Sequence, residues 1–467
     1  MSAEPTAPQL PADARVHLVG VGGAGMSALA WILLERGHPV SGSDLRGGRA
    51  AAALQAMGAQ VHVGHDAEHA ADADIVVVST AVGERNPEVA AARAAGTPVL
   101  RRAELLAALV AGRRGLFVAG THGKTTTTSM LTVMLQGAGL DPSFAIGGVL
   151  HDSGTSAHHG TGEIFVAEAD ESDGSFLAFA PECAIVTNLE LDHHDHWPDL
   201  AALTDGFVRF LDRRSPGGLA ICCADDPGSL ALAERARDPV RTYGEAADAD
   251  VRVVDRDARP DGSRFRVTAG GRDLGRFRVR PPGRHNVLNA AAAVAAADWV
   301  GADIDAVRAA LEAFSGAQRR FQRLGEIGGV TVVDDYAHHP TELAAVLAAA
   351  RQTAPRGRVV AAFQPHRFSR TAALGAELGA ALGAADLVIV TDVYAAGEPP
   401  VPGVTGALVA DAARQAGAET RYVAAAGELP SLLVEEVRAG DLVLTLGAGD
   451  VTEVGPVLLR LLEDRHG

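Results

Sequence analysis

The 467 residues carry 58 acidic and 41 basic side chains, and the formal net charge of -17 disfavours binding to nucleic acid or to an anionic membrane surface. Hydrophobic residues make up 47% of a chain too long for one core, so we expect several folded domains rather than a disordered chain. The sparse cysteines, Cys183, Cys222 and Cys223, lack metal-ligand spacing, and we see no membrane-spanning run. We therefore expect a cytoplasmic protein, with residues 1–14 as a disordered lead-in.

The first elements predict a Rossmann-like unit. An apolar run over residues 16–20 enters a glycine-rich turn, and a helical pattern follows over residues 26–36. Gly20, Gly22 and Gly25 match Gly-x-Gly-x-x-Gly, with Asp44 at the end of the next strand-like segment. This weak motif indicates a dinucleotide, but the diphosphate and ribose of a UDP-sugar satisfy the same turn equally well.

A second glycine loop predicts an ATP site. An apolar strand over residues 116–119 runs into Gly120-Thr121-His122-Gly123-Lys124-Thr125-Thr126, and a helix is expected over residues 124–136. Glycines let the backbone approach phosphate, the lysine faces the β and γ phosphates, and a hydroxyl binds Mg²⁺. Val118 stands where an ordinary P-loop has its first glycine, so this loop is shortened.

Two further strands are expected to bring polar side chains to the same sheet edge, because ligands gather at the carboxyl ends of parallel strands. The first strand, residues 163–167, precedes the acidic cluster Glu168, Asp170, Glu171 and Asp173. The second, residues 183–187, precedes Asp192-His193-His194-Asp195-His196. Carboxylates suit magnesium, whereas imidazoles suit softer metals such as zinc. For the histidines, a zinc site with distant partners and no ligand role at all both stay open.

The rest of the chain predicts an antiparallel appendage and a third unit. Over residues 250–280 arginine alternates with phenylalanine and valine, which is typical of strands with one dry and one wet face. The last 150 or so residues alternate strand-like runs with alanine-rich helical stretches. We predict an α/β fold of three domains: residues 15–112 Rossmann-like, 113–316 a central ATP-binding sheet with the appendage, and 317–467 Rossmann-like.

Taken together, the motifs resemble one family, the Mur ligases. The resemblance rests on motifs that occur in order along nearly the whole chain: Gly20-Val-Gly-Gly-Ala-Gly-Met-Ser27, Gly120 to Thr128, Glu168 to Phe176, Thr187 to His193, His285-Asn-Val-Leu-Asn289, Arg319-Arg-Phe321, and Asp334-Asp-Tyr-Ala-His-His-Pro340. It implies a UDP-sugar-binding domain, a central ATPase domain and a C-terminal domain that closes on the nucleotide.

The resemblance also implies an activity. The opening glycine motif favours the branch of the family that joins L-alanine to the lactyl carboxylate of UDP-N-acetylmuramate through an acyl phosphate, giving ADP and phosphate in peptidoglycan precursor synthesis. The alternative within the family is a peptide-recycling ligase that attaches a preformed peptide to the same nucleotide sugar. Outside it, the first motif leaves a nicotinamide dehydrogenase, and the loops alone leave a non-enzymatic nucleotide-binding regulator.

The site residues implied by the resemblance fall into three groups. Lys124 would neutralise the transferring phosphoryl group, Thr125 and Glu171 would hold one Mg²⁺, and His193 a second. Besides the loop residues Gly120 to Thr126, the ATP contacts would be Asn286, Asn289, Arg320 and Asp335. The UDP-sugar contacts would be Gly22, Gly23, Gly25, Met26, Ser27 and Asp44.

Two points in the resemblance stay open. Other members place a carbamylated lysine near the metals, and we find no matching lysine here. For His338, His339, His366 and Arg367 we expect contacts to substrate or to alanine, with a structural role equally open.

Overall fold

The structure, a computed structural model, describes residues 10–79, 82–193, 196–237 and 239–466. Most of the predicted lead-in, residues 1–9, lies outside the described residues, whereas Ala14 is buried against the N-terminal core. The chain divides into two compact units. The first comprises residues up to Val254, Val267–Gly275 and Leu288–Ala313, and the second Asp255–Arg266, Arg276–Val287 and Phe314–Gly467.

The N-terminal sheet is parallel, with strand order β3-β2-β1-β4-β5. Its elements are β1 Val16–Val19, α1 Ala24–Glu35, β2 Val40–Asp44, α2 Arg49–Ala56, β3 Gln60–Val63, β4 Ile75–Val78, α3 Pro87–Ala95, β5 Val99–Arg101 and α4 Arg102–Val110. Helices α1 and α4 bury Ile32, Leu105 and Leu109 in its core. The order reverses direction beside β1, so the turn after β1 lies at the point where such folds bind ligands.

The central sheet has ten strands, in the order β15-β14-β13-β12-β11-β10-β6-β9-β7-β8. Its elements are β6 Arg114–Ala119, α5 Lys124–Gly137, β7 Ser143–Ala145, β8 Ala157–His158, β9 Ile164–Glu168, β10 Cys183–Val186, α6 Leu200–Asp212, β11 Leu219–Cys223, α7 Pro227–Arg235, β12 Val240–Gly244, β13 Val251–Arg259, β14 Gly262–Ala269, β15 Arg272–Val279, α8 Arg284–Trp299 and α9 Ile304–Ala313. Strands β9 and β10 flank β6 in parallel. The loops that follow these three strands therefore share one sheet edge, as predicted.

The predicted appendage forms the end of this sheet. In β14 and β15 the side chains of Phe265, Val267, Phe277 and Val279 are buried, and the rings of the two phenylalanines stack at 5.9 Å. The alternation of arginine with apolar residues thus produces the predicted dry face.

The C-terminal sheet has the order β16-β17-β21-β18-β19-β20 and is parallel except for β16. Its elements are β16 Gln322–Ile327, β17 Val330–Asp335, α10 Pro340–Thr353, β18 Val359–Phe363, α11 Phe368–Leu382, β19 Leu387–Val390, α12 Gly406–Gln415, β20 Glu419–Tyr422, α13 Leu429–Glu436, β21 Leu442–Leu446 and α14 Val454–His466. Separate apolar clusters cover its two faces, one containing Leu347 and Leu378 and the other Leu433 and Leu458. This confirms the predicted doubly wound unit.

Three sheets with these connections confirm the predicted three-domain α/β fold, while the limits at residues 112 and 316 stay a prediction. Among the described residues no helix is long and apolar enough to cross a bilayer.

Candidate active site

The loop between β6 and α5 is held by the segment that follows β10. Thr121 Oγ1 donates to the carbonyl of Glu190 at 2.9 Å, and His122 N donates to Asn188 Oδ1 at 2.8 Å. Thr187 Oγ1 in turn donates to the His122 carbonyl at 2.6 Å. These bonds fix the loop before any ligand binds. The sequence motifs indicated the loop but not these anchors, although all three lie in the segment quoted for the resemblance.

Glycine is required at two positions of this loop, because each has a positive φ and leaves no room for a Cβ. Gly120 has φ +125°, and a Cβ there would overlap Thr187 Oγ1. Gly123, which precedes α5, has φ +83°, and a Cβ would lie 2.7 Å from Asn289 Oδ1. Asn289 therefore lies beside the phosphate loop, a finding more specific than the predicted contact with adenine, which stays a prediction.

Gly120→Ala is expected to destabilise the protein by about 3 kcal/mol, because the backbone strain adds to the steric overlap. Gly37→Ala is the matched control, since Gly37 has φ +86° but a Cβ there would meet nothing within 4 Å. That control is expected to lose only about 1 kcal/mol. Urea unfolding of both variants measures the difference, and equal losses would contradict the steric argument.

Lys124 and Glu171 form a buried pair at the mouth of the loop. Lys124 Nζ donates to both carboxylate oxygens of Glu171, at 2.9 and 2.8 Å, and to the Gly120 carbonyl at 2.6 Å. Glu171 is only 1% exposed. Burial raises the pKa of Glu171 to about 7, although Lys124 opposes the shift. Burial lowers the pKa of Lys124, but Glu171, Asp170 and Glu168 outweigh it and hold that pKa above its usual value. Lys124 therefore keeps its charge at neutral pH.

Lys124 is also the only lysine in the sequence, beside 40 arginines. A second lysine, such as the carbamylated lysine that the resemblance to other members implies, is therefore absent from the sequence.

The residues around the pair offer the oxygen ligands that Mg²⁺ prefers. Thr125 Oγ1 donates to Glu168 Oε2 at 3.2 Å, and Glu168 Oε1 accepts from Gly147 N at 2.7 Å. Burial raises the pKa of Asp170, but Lys124, the backbone of Ser172 and Arg102 outweigh it, so the net shift is downward. A hydroxyl and several carboxylates beside a phosphate loop fit a nucleotide-bound magnesium.

The imidazole of His193 lies near the carboxylates of Glu171 and Asp192. Its Nε2 lies 3.9 Å from Glu171 Oε1 and 3.7 Å from Asp192 Oδ2, and its backbone has φ +55°. His196 instead packs edge-on against Trp197. The neighbouring predictions at His194 and Asp195 lie outside the described residues. The structure thus brings His193, and not His196, to the Lys124–Glu171 pair.

The N-terminal glycine turn is tied to β2. Gly20 N donates to the Ser43 carbonyl at 2.8 Å, and Gly22 N donates to Asp44 Oδ2 at 2.9 Å. A Cβ on Gly22 would lie 2.8 Å from that same oxygen. Met26, predicted to contact the sugar nucleotide, has its side chain in the core, so any such contact uses its backbone. Ser27 Oγ donates to the Ala24 carbonyl at 3.1 Å.

Arg102 joins the two loops and was not singled out from the sequence. A Cβ on Gly25 would lie 3.1 Å from both Cδ and Nη1 of Arg102, while Arg102 Nη2 lies 3.6 Å from Asp170 Oδ2. The glycine turn and the acidic cluster are therefore neighbours through one arginine side chain. Arg102 lies in none of the sequence motifs, so the sequence did not indicate its position.

Asp335 is the last residue of β17, and Arg320 precedes β16; both belong to the second compact unit. Asp335 accepts hydrogen bonds from Phe321 N at 2.6 Å and Ala337 N at 2.8 Å, and burial raises its pKa to about 6 although Arg320 opposes the shift. The Arg320 guanidinium lies 5.2 Å from the ring centre of Tyr336. Asn286, in the same unit, donates to the Pro282 carbonyl at 2.6 Å. Their predicted ATP contacts stay predictions.

A set of aromatic and basic side chains surrounds the candidate histidines of this unit. His366 stacks on Tyr394 with ring centres 5.7 Å apart, and His338 lies 6.1 Å from His366. Burial, followed by the charge of His338, lowers the pKa of His366 to about 4. Arg367 has φ +69° and lies 3.7 Å from Glu398, while His339 is buried at the start of α10. Tyr394 was missed because no motif marks it, whereas Tyr336 lies within the motif Asp334 to Pro340 and was not singled out.

Fold and site together define a class of protein: a three-domain α/β nucleotide-binding enzyme with a phosphate loop facing buried carboxylates. Three domain families match in chain order, namely "Mur ligase family, catalytic domain" over residues 15–114, "Mur ligase middle domain" over 118–297, and "Mur ligase, glutamate ligase domain" over 319–449. The chain belongs to the Mur ligase family.

Individual relatives are similar over nearly their whole length. The UDP-N-acetylmuramate--L-alanine ligases of Acidothermus cellulolyticus and Kineococcus radiotolerans are 52% and 54% identical, each covering 97% of this chain, with 95% and 97% of the relative covered. The UDP-N-acetylmuramate-alanine ligase MurC of Thermotoga maritima superimposes with a TM-score of 0.83 at 29% identity, covering 97% of this chain and all of its own. The murein peptide ligase of Psychrobacter arcticus superimposes with a TM-score of 0.71 at 26% identity, and the match covers 96% of this chain and 98% of that ligase.

Proposed function

We propose that this protein joins L-alanine to the lactyl carboxylate of UDP-N-acetylmuramate, using ATP and releasing ADP and phosphate. The observation that carries the chemistry is the buried Lys124–Glu171 pair, which faces the phosphate loop beside His193. The substrates follow from the relatives, since identities of 52% and 54% over 97% of the chain belong to ligases with this name.

In this mechanism a substrate carboxylate oxygen attacks the γ-phosphorus of ATP, the bond to the β-phosphate oxygen breaks, and ADP leaves. The amine of L-alanine then attacks the acyl carbon, phosphate leaves, and the amine loses a proton. Bound Mg²⁺ supplies charge neutralisation for the phosphates. Lys124 contributes a fixed positive charge to the transferring group, and the amides of the loop bind phosphate oxygens.

Thr125, Glu171 and neighbouring carboxylates would hold a magnesium ion, and we propose that His193 belongs to a second. Their donors fit because they are mainly oxygens, with one imidazole beside them. The glycine turn, with Asp44, would hold the UDP-sugar, and Tyr336, His338, His366 and Tyr394 would contact substrate or alanine. We also propose that the domain limits lie at residues 112 and 316 and that the protein is cytoplasmic.

The recycling ligase is the second candidate, because the Psychrobacter murein peptide ligase shares the fold at 26% identity. Phosphate release distinguishes the two. With UDP-N-acetylmuramate, ATP and Mg²⁺, we expect rapid release with L-alanine and little with the tripeptide L-alanyl-γ-D-glutamyl-meso-diaminopimelate. Release with the tripeptide alone would overturn the proposal, and tight binding of NADPH, seen by its fluorescence, would count against a UDP-sugar site.

A further inference from the structure

Glu88 is the centre of a buried polar cluster in the N-terminal domain, outside the active site described above. It lies in the first turn of α3, where Asn86 caps the helix by accepting from the backbone N of Glu88 and Val89. Its side chain is fully buried. We call Glu88 and its four side-chain contacts, Ser43, His17, His65 and His69, the Glu88 cluster.

The contacts are close and come from four elements of the domain. Ser43 Oγ, in β2, donates to Glu88 Oε2 at 2.7 Å. The Nδ1 atoms of His65, after β3, and of His69, in the 3-10 helix Ala67–Ala70, lie 3.1 Å from Glu88 Oε2 and Oε1. His17 Nε2, in β1, faces Oε1 at 3.7 Å.

The carboxylate of Glu88 is ionised. Burial raises its pKa, but the contacts with His17, Ser43 and His69 bring that pKa down to about 2. Loss of the partners of a buried carboxylate is strongly destabilising, and every ion-pair partner that the described residues give Glu88 is a histidine. Glu88 therefore holds Ser43 and three histidines around one buried negative charge.

Two further contacts orient the histidine rings of the cluster. His17 Nδ1 contacts Ser41 Oγ at 2.8 Å, so its Nε2 is the nitrogen turned towards Glu88. The ring of His62, in β3, stacks on His69 at 4.0 Å, and burial, followed by His69 and His17, lowers the pKa of His62. A further proton on His62 is thereby disfavoured.

Ser43 connects this cluster to the glycine turn. Its side chain contacts Glu88, while its carbonyl accepts from Gly20 N at 2.8 Å and from Val21 N at 3.0 Å. The next residue, Asp44, accepts from Gly22 N. The backbone that shapes the turn therefore rests on the residue that Glu88 holds.

We propose that Glu88 is a positioning residue for the nucleotide sugar: through Ser43 it fixes the turn that receives the diphosphate. This inference rests on the proposed function of the N-terminal domain. Glu88 touches no reacting atom, so its removal should change the binding of the nucleotide sugar and leave the phosphoryl transfer itself intact.

Glu88→Gln tests the proposal because glutamine keeps the shape and an acceptor for Ser43 but removes the charge. We expect the KM for UDP-N-acetylmuramate to rise about tenfold at pH 7, with kcat and the KM for ATP nearly unchanged. Glu88→Asp, which keeps the charge, should restore part of the affinity for UDP-N-acetylmuramate.

Glu84→Gln is the matched control, since Glu84 is 70% exposed and, among the described residues, its ion pair is with Arg93 at the surface. It should behave like the wild type. Should Glu88→Gln fail to fold, Ser43→Ala serves: it removes the hydrogen bond to Glu88 but leaves the carboxylate and the histidines, so the KM for UDP-N-acetylmuramate should rise while kcat stays nearly unchanged. An unchanged KM, or an equal rise in the KM for ATP, would overturn the proposal.

Binding of UDP-N-acetylmuramate without turnover separates this inference from the proposed function. Calorimetric titration in the absence of ATP and L-alanine should give a Kd about tenfold higher for Glu88→Gln than for the wild type. If the wild type fails to turn over L-alanine but this difference in Kd is found, only the proposed function is wrong. If turnover occurs and the two Kd values are equal, the Glu88 proposal is wrong.

Discussion

Lys124→Ala is expected to lower ADP formation by on the order of 10³-fold, because it removes the fixed charge that stabilises the transferring phosphoryl group. Binding of UDP-N-acetylmuramate should stay within about twofold of the wild type, since the hydrogen bonds that the described residues give Lys124 go to Gly120, Thr121 and Glu171. Coupled-enzyme assays and calorimetry measure the two quantities. Loss of both would contradict the assignment of ATP and sugar nucleotide to separate loops.

The same variant leaves Glu171 buried without its ammonium partner, so a control must separate activity from stability. Breaking a buried pair costs about 3–5 kcal/mol, and part of this loss should be avoided by protonation of Glu171. The double variant Lys124→Ala/Glu171→Gln should recover most of the stability and none of the activity. Recovery of activity with stability would show that Lys124 is structural.

Glu171→Gln is expected to produce the second-largest loss. Glutamine can still accept a hydrogen bond from Lys124, but it removes the charge that a magnesium ligand needs. We expect ADP formation to fall about 10²-fold at saturating ATP and the Mg²⁺ concentration for half-maximal activity to rise 10-fold or more, roughly the effect of losing a ligand group. Titration of activity with MgCl₂ measures both effects.

Asp199→Asn is the control for that experiment. Asp199 lies outside the acidic cluster, and its Oδ1 accepts from Ala202 N at 2.8 Å at the start of α6, a bond that asparagine keeps. Its activity and Mg²⁺ dependence should match the wild type. An unchanged Mg²⁺ dependence in Glu171→Gln would exclude Glu171 as a ligand.

The parts of the site that could be predicted from sequence are those that local backbone chemistry dictates. The glycines at Gly120 and Gly123 occupy positive φ angles, and continuous apolar runs such as β18 form strands buried on both faces. Parallel order then placed Glu171 and His193 at one edge with Lys124, as expected from the ends of β9 and β10.

The remaining contacts depend on residues far apart in sequence, which no local pattern marks. Arg102 lies beside Asp170 across 68 positions, and Glu88 meets Ser43 across 45. Arg102 and Glu88 sit in ordinary helical stretches, and only the packing of their helices on the sheets brings them to Asp170 and Ser43. Met26 shows the converse, because its motif position suggested a ligand contact while helix packing turned its side chain into the core.

Transfer of oxygen-18 tests most directly whether the phosphate loop serves to activate a carboxylate. UDP-N-acetylmuramate labelled with oxygen-18 in the lactyl carboxylate is turned over with ATP and L-alanine, and the released phosphate is analysed by mass spectrometry. Formation of an acyl phosphate predicts one labelled oxygen in each phosphate, because the bridging oxygen leaves with phosphorus. Unlabelled phosphate, or label in AMP, would contradict this mechanism.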